Sequence, residues 1–398
     1  LALPLAFRNF RNLWIGQSVS LVGDQFKFVA LSWLVLSLTG RSGALGTVLM
    51  LQAIPRSVLM LAGGVASDRL RPRAVMLGSD LIRAAIELAI VALVVTNLIR
   101  LPHLYLLALL FGIVQAFFFP AAMAMTPEVV PPHLLGPANA VTQVTNQVVL
   151  AAAPAAAGFV IGTVGTAGGF AVDAATFIVS ALFLVMIAVP QRAQAGRRQS
   201  AWRDFLEGVA FVRHRPLLLS VILMAAVFFF GHSGATYVGL PVLVRGPFRA
   251  GPQSLGILFS AYGAGALVGG MVAGTRQARR RGLIGPVLVV GMGMMIAGIA
   301  LAQHLWQAAA LLACAGAAMS WLGITYVTVV QQRTEREFMG RVMGMMMFGI
   351  YGLYPVSYGL AGWLAELIGV RALFIGGGAL IALSGLVGLS VREHRTLD

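Results

Sequence analysis

GGVASDRLRPR, residues 63–73, is a charged stretch set between two apolar ones. Residues 44–66 lead into it and residues 74–96 lead away from it. Each flank is long enough to cross a bilayer, which takes about 20 residues of helix. Between them stand Asp68, Arg69, Arg71 and Arg73. The stretch reads as a tight polar turn joining two membrane-spanning helices, and the other spans are laid out on either side of it.

The composition agrees with this. Only 10% of the 398 residues are charged, against about a quarter in a soluble domain, and the mean hydropathy is +0.89. In lipid each backbone polar group must be satisfied internally, so spans are helices or closed-barrel strands. The apolar runs are long and do not alternate, which predicts helices. Twelve spans are expected: 13–38, 44–66, 74–96, 104–126, 138–161 and 169–189, then 217–242, 254–274, 283–302, 306–330, 342–367 and 372–391. On that layout about 20 basic residues fall in alternate short loops and about five on the other side, the asymmetry of a basic cytoplasmic face. Both termini are then cytoplasmic. The net charge of +15 is explained by attraction to anionic lipid, and nucleic acid is not expected as a partner.

One cysteine, Cys314, lies in an apolar run and reads as a small packing residue; disulfide frameworks and zinc spacing are excluded. The opening LALPLAFRNF lacks the ordered parts of a cleavable signal peptide, so the first span is expected to act as the insertion signal. No phosphate-binding loop, metal cluster or catalytic triad is present in the sequence. An enzyme is not expected, nor a cofactor or metal; energy is expected from an ion gradient.

Residues 190–215 differ from the rest. They carry Arg192, Arg197, Arg198, Arg203, Arg213 and Arg215, and Trp202, Phe205, Val209 and Val212 recur at helical spacing. This predicts a linker whose amphipathic helix lies on the membrane surface. It separates 1–189 from 216–398. The two parts look repeated: Leu45, Gly46 and Gly64 match Leu255, Gly256 and Gly274 at one offset, 131–136 resembles 335–340, and Pro154 with Gly158 resembles Pro355 with Gly359. The fold expected is an all-α membrane protein of about twelve helices in two parallel-repeat six-helix bundles.

These features resemble the major facilitator superfamily. Its loop between helices 2 and 3 reads roughly G-x-x-x-D-R-x-G-R-R, and Gly64, Asp68, Arg69 and Arg73 match in place. Arg71 and Pro72 depart from it, so the turn backbone must differ locally. The family's exporters carry G-P-x-x-G-G in helix 5; here Pro154 and Gly158 are kept and alanines replace two glycines. FRNLWIGQSVSLVGDQ, PEVVPPHLLGPANAV, VDAATFIVSAL and FLEGVAFVRHRPLL resemble the branch of macrolide and siderophore exporters. The resemblance implies a monomeric, proton-coupled antiporter of the bacterial inner membrane. It would export amphipathic small molecules (drug, macrolide or siderophore-like) by alternating access, with membrane lipid around it. Two alternatives stay open: a lipid or lysolipid flippase of the same fold, and an uptake carrier for a polar solute.

Ionisable residues inside a membrane are costly and are functional candidates by default. Asp24 and Lys27, the only lysine, share one face of helix 1. Arg56 and Glu87 lie mid-span in helices 2 and 3. These four are the expected coupling residues, with Asp24 as a protonation switch or as a fixed partner of Arg56. Arg83 is expected to neutralise Glu87, and Asp80 with Arg83 to join the cytoplasmic gate of Gly64, Asp68, Arg69 and Arg73. Asp173 and Glu366 are expected at interfaces. The expected cavity residues are Gln52, Gln115, His232, Tyr237, Tyr262 and Trp321, giving charge in the first half and apolar contact in the second. Pro55, Pro120, Pro154 and Pro355 are expected to bend their helices.

Overall fold

The computed structural model describes all residues except 1–2, 70, 189–200, 276–280, 336–337 and 396–398, and only the backbone of 60–69, 201–206, 275, 281–282 and 394–395. The described residues contain helices and no strand. In order they are α1 (Arg8–Thr39), α2 (Ser42–Arg69), α3 (Pro72–Val95), α4 (Leu101–Val129), α5 (Leu135–Val164), α6 (Thr166–Val185), α7 (Ala201–Arg213), α8 (Pro216–Ser233), α9 (Leu240–Arg245), α10 (Pro252–Thr275), α11 (Arg281–Ile299), α12 (Leu305–Arg333), α13 (Met339–Tyr351), α14 (Tyr354–Ile368), α15 (Val370–Ser390) and α16 (Arg392–Arg395). Among the described residues eight segments are long and apolar enough to cross a membrane: α1, α4, Pro132–Val164, α6, Pro216–Arg245, Pro252–Gly274, α12 and α15. In α3, Asp80, Arg83 and Glu87 interrupt the apolar stretch.

Two compact units form, and they interleave in sequence. The first is Leu1–Ala44, Leu51–Arg197 and Ala250–Ser260; the second is Leu45–Met50, Arg198–Arg249 and Ala261–Asp398. In the first, α6 packs on both α1 and α3, with α5 against α1 and α4 against α3. Small residues and rings allow this closeness: Phe170, Ala174 and Phe177 of α6 are fully buried. In the second, α15 packs on α8 and α11, and α12 against α11.

Several expectations are corrected. The span 342–367 is not one helix: α13 ends at Tyr351 and α14 starts at Tyr354. Pro355 therefore sits in the first turn of α14, where its missing N–H costs nothing, rather than bending a helix at its middle. The linker helix α7 does form, and its described side chains divide: Val209 is exposed, whereas others meet protein. Phe211 stacks on Phe338 with centroids 4.3 Å apart, Val212 is fully buried, and Glu207 pairs with Arg341 at 2.9 Å. Trp202, Arg203 and Phe205 have side chains outside the described residues, as do the expected gate residues Gly64, Asp68 and Arg69. Cys314 is exposed on α12, not packed inside.

The segment Pro216–Arg245 is also irregular. A π-helical turn, Gly234–Gly239, joins α8 to α9. Its cause is visible at its start. In a regular helix the Gly234 N–H would donate to the Phe230 carbonyl. Here Ser357 of α14 stands between them: its Oγ accepts from Gly234 N at 2.9 Å and donates to Phe230 O at 2.6 Å. Inserted side chains of this kind are a recognised cause of helix irregularity. S357A leaves two buried backbone groups without that partner and is expected to lower stability by about 1–3 kcal/mol. Thermal unfolding of the purified variant measures this; an unchanged melting temperature would mean the turn does not depend on the hydroxyl.

Candidate transport site

The first unit holds a cavity of about 630 Å³. α1 supplies Trp14, Gln17 and Asp24; α2 supplies Arg56; α4 supplies Gln115, Phe118 and Phe119; and α5 supplies Asn139, Thr142 and Asn146. Arg83 of α3 also reaches the wall. Helical periodicity explains the grouping. Positions 14, 17, 21 and 24 lie along one face of α1, and 139, 142 and 146 along one face of α5. Trp14 is fixed by donating from Nε1 to Thr145 Oγ1 at 3.0 Å.

The four expected coupling residues divide between two places. Asp24 and Arg56 line the cavity together with Gln115. Asp24 is partly exposed there. Lys27 and Glu87 line a separate small pocket with Gln52 and Phe111. Lys27 Nζ lies 3.5 Å from Glu87 Oε1, with both side chains buried, and only 2.6 Å from the centroid of the Phe111 ring. The ring face offers negative potential to the ammonium.

The partner of Glu87 is therefore Lys27, not Arg83. Arg83 bonds to Asp80 one turn away on α3, and its guanidinium lies over Phe118 at 3.8 Å and Phe177 at 4.3 Å. Spacing alone does not choose between them, since Asp80 at i−3 and Glu87 at i+4 both lie on the face of Arg83. Asp173 is also corrected: it is fully buried in α6, not interfacial, because α6 packs on α1 and α3 on both sides of it. Glu366 is exposed near the end of α14.

Of the gate motif, Arg73 has a described side chain. Its Nε donates to Leu184 O at 2.8 Å and its Nη2 to Val185 O at 2.7 Å. These are the final carbonyls of α6, where a cation is favoured by the helix dipole. The helix-5 motif meets the 250–260 segment of the same unit. A side chain at Gly158 would collide with the backbone at Pro252 and Gln253, so glycine there permits the close approach. One residue after Pro154, the Ala155 N–H donates to Ser260 Oγ at 2.9 Å.

The second unit gathers rings. His232 is buried, stacked on Phe228 at 5.3 Å, tilted against Tyr262 at 5.6 Å, and 3.3 Å from Thr236 Oγ1 through Nδ1. Tyr237 meets Tyr358 edge-on at 6.0 Å, and Tyr354 meets Phe229, Tyr351 and Tyr358. Trp321 is half-buried. The sequence reading had not singled out Tyr351, Tyr354 and Tyr358, nor Gln17, Asn139, Thr142 and Asn146. Their i, i+3, i+7 spacing was the available signal.

Comparison with known proteins gives a consistent result. A family model described as transmembrane secretion effector matches residues 2–396. Macrolide efflux protein A of Streptococcus pyogenes is 24% identical, over 98% of this chain and 97% of its own length. The multidrug efflux pump Tap of Mycolicibacterium fortuitum is 28% identical, over 94% of each. Among solved structures, a bacterial homologue of the iron transporter ferroportin in its inward-facing state superposes with a TM-score of 0.77. It is 14% identical and covers 96% of this chain and 98% of that one, a likeness of fold alone.

If Lys27 neutralises Glu87, K27M strands a buried carboxylate and is expected to cost about 3–5 kcal/mol, whereas K27M/E87M recovers most of that loss. Unfolding of both variants and of E87M completes the double-mutant cycle; strictly additive losses would show that the two side chains do not interact.

Proposed function

Because the chain belongs to the transmembrane secretion effector family, within the major facilitator superfamily of transporters, we propose that it is a proton-coupled exporter of amphipathic small molecules working by alternating access. The observation that carries this reading is the 630 Å³ cavity, whose wall one carboxylate, Asp24, shares with Arg56, Trp14, Phe118 and Phe119. Rings receive the apolar body of a ligand, and the carboxylate receives a cationic group or a proton. Two full-length relatives are named as macrolide and multidrug efflux proteins, which supports export and a drug-like or macrolide-like substrate.

The reading extends to architecture. Twelve spans in two parallel six-helix repeats fit the packing of α6 on α1 and α3, matched by that of α15 on α8 and α11. Basic loops support cytoplasmic termini in a bacterial inner membrane. In the cycle, Asp24 exchanges a proton for substrate and Arg56 shapes its charge. Lys27 and Glu87 hold α1 to α3. Arg73, bound to the end of α6, belongs to a gate with Asp68 and Arg69. His232, Tyr237, Tyr262 and Trp321 offer apolar contact on the second unit.

A second reading, lipid translocation, is favoured by one observation. An apolar groove of about 480 Å³ lies between α8 and α15, lined by Leu219, Leu223, Met224, Val227, Leu383 and Val387. It accepts hydrocarbon and offers no charge.

The deciding experiment is substrate-driven pH change in proteoliposomes, with erythromycin as the macrolide probe. Wild-type protein is expected to move protons when the probe is added, and D24N to move them at least about ten-fold more slowly, a change worth about 1.4 kcal/mol or more. Proton movement undiminished in D24N would remove Asp24 from coupling. Probe-independent scrambling of a labelled lipid, with no proton movement, would replace export by lipid translocation.

A further inference from the structure

The core of the first unit carries an uneven set of charges. On α1, α2, α3 and α6, four mid-span carboxylates (Asp24, Asp80, Glu87 and Asp173) stand against three cations (Lys27, Arg56 and Arg83). Two cations are committed, Lys27 to Glu87 and Arg83 to Asp80. Arg56 shares the cavity wall with Asp24. Asp173 is left over.

Its surroundings are specific. Asp173 is fully buried, and its Oδ2 has no hydrogen-bond partner among the described residues. Its Oδ1 lies 3.4 Å from Thr176 Oγ1, but that hydroxyl donates at 2.7 Å to the backbone carbonyl of Asp173. Against it stands Gly23 of α1, where a Cβ would collide with the side chains of Asp173 and Thr176. The carboxyl therefore rests on the α1 backbone one residue from Asp24. The charged groups facing it are Asp24 and Lys27 from α1 and Glu87 and Arg83 from α3, with Asp80 bound to Arg83. α5, which also packs on α6, has no ionisable residue.

An ionised carboxylate in this place would have neither a committed cation nor a full set of donors, and burying such a charge is costly. A proton removes the charge and balances the set at three negative and three positive groups. We propose that Asp173 is a buried proton-binding site that exchanges its proton with Asp24 at the cavity wall. In the exchange the O–H bond at Asp24 breaks and one forms at Asp173, so the cluster keeps its total charge. Asp24 is left as a carboxylate, free to meet a cationic ligand while the proton is retained. The role in transport rests on the proton-coupled reading given above.

The test is infrared spectroscopy of the purified protein in lipid at neutral pH, read at the carbonyl stretch of protonated carboxylic acids. Wild type is expected to show a band that D173N loses and that T176V shifts without abolishing. A band in D173N as strong as in wild type, or its absence from wild type, would each overturn the proposal. Should D173N fail to fold, an unshifted band in T176V would overturn it as well. Proton movement in proteoliposomes with erythromycin separates this from the parent reading. If wild type moves no protons, proton coupling itself falls. If wild type moves them and D173N moves them as fast, only the role of Asp173 falls; a loss of at least about ten-fold in D173N supports it.

Discussion

The Lys27–Glu87 ion pair, buried beneath Phe111, is the contact on which the first unit depends. Charges in the low-dielectric core of a membrane must be neutralised where they stand. That requirement ties α1 to α3 at one height and in one rotation. α6 then fills the angle between them with rings and small side chains. Arg83 obeys the same rule by a shorter route, taking Asp80 on its own helix and two aromatic faces. The cavity lies beside this paired charge. Its wall keeps the two groups, Asp24 and Arg56, that the clamp does not use.

The second unit solves its packing by other means. Two of its ion pairs lie where α7 and the start of α8 meet the approach to α13: Arg215 with Glu335 at 2.7 Å and Arg341 with Glu207 at 2.9 Å. Exposed pairs of this kind contribute little to stability, so their value is in setting the register of the linker helix. Within the spans, rings and the Ser357 hydroxyl contribute to the positioning. Ser357 takes up both ends of one backbone hydrogen bond in the helix that carries His232, and the tyrosines of α13 and α14 continue the ring cluster. An aromatic wall deforms with little electrostatic cost, whereas a buried ion pair is nearly all-or-none.

Much of this was readable from residues alone. Apolar runs near 20 residues revealed the helical class, and the asymmetry of charge between the two parts of the chain showed in Asp24, Lys27, Arg56 and Glu87. What could not be read was pairing. Spacing along one helix suggests Arg83 for Glu87, but the cation that reaches Glu87 comes from α1, and only helix rotation decides that. Asp173 shows the same limit. Counting from the end of its span places it near an interface, yet the packing of α6 against two neighbours buries it. The break between α13 and α14 was masked because apolar composition runs unchanged through Gly352 and Leu353.

The contrast between Glu87 and Asp24 carries the argument one step further. Both are acids at mid-span, and both stand near Lys27 in sequence or space. Glu87 has a cation at 3.5 Å and no exposure, so a change in its charge would strand Lys27 and oppose the fold. Asp24 faces the cavity and has no ion pair or hydrogen bond among the described residues. Its charge can change without leaving a buried partner uncompensated. A carboxylate able to answer a ligand must be spared from structural duty, and in this unit the Lys27–Glu87 pair does the structural work that leaves Asp24 available.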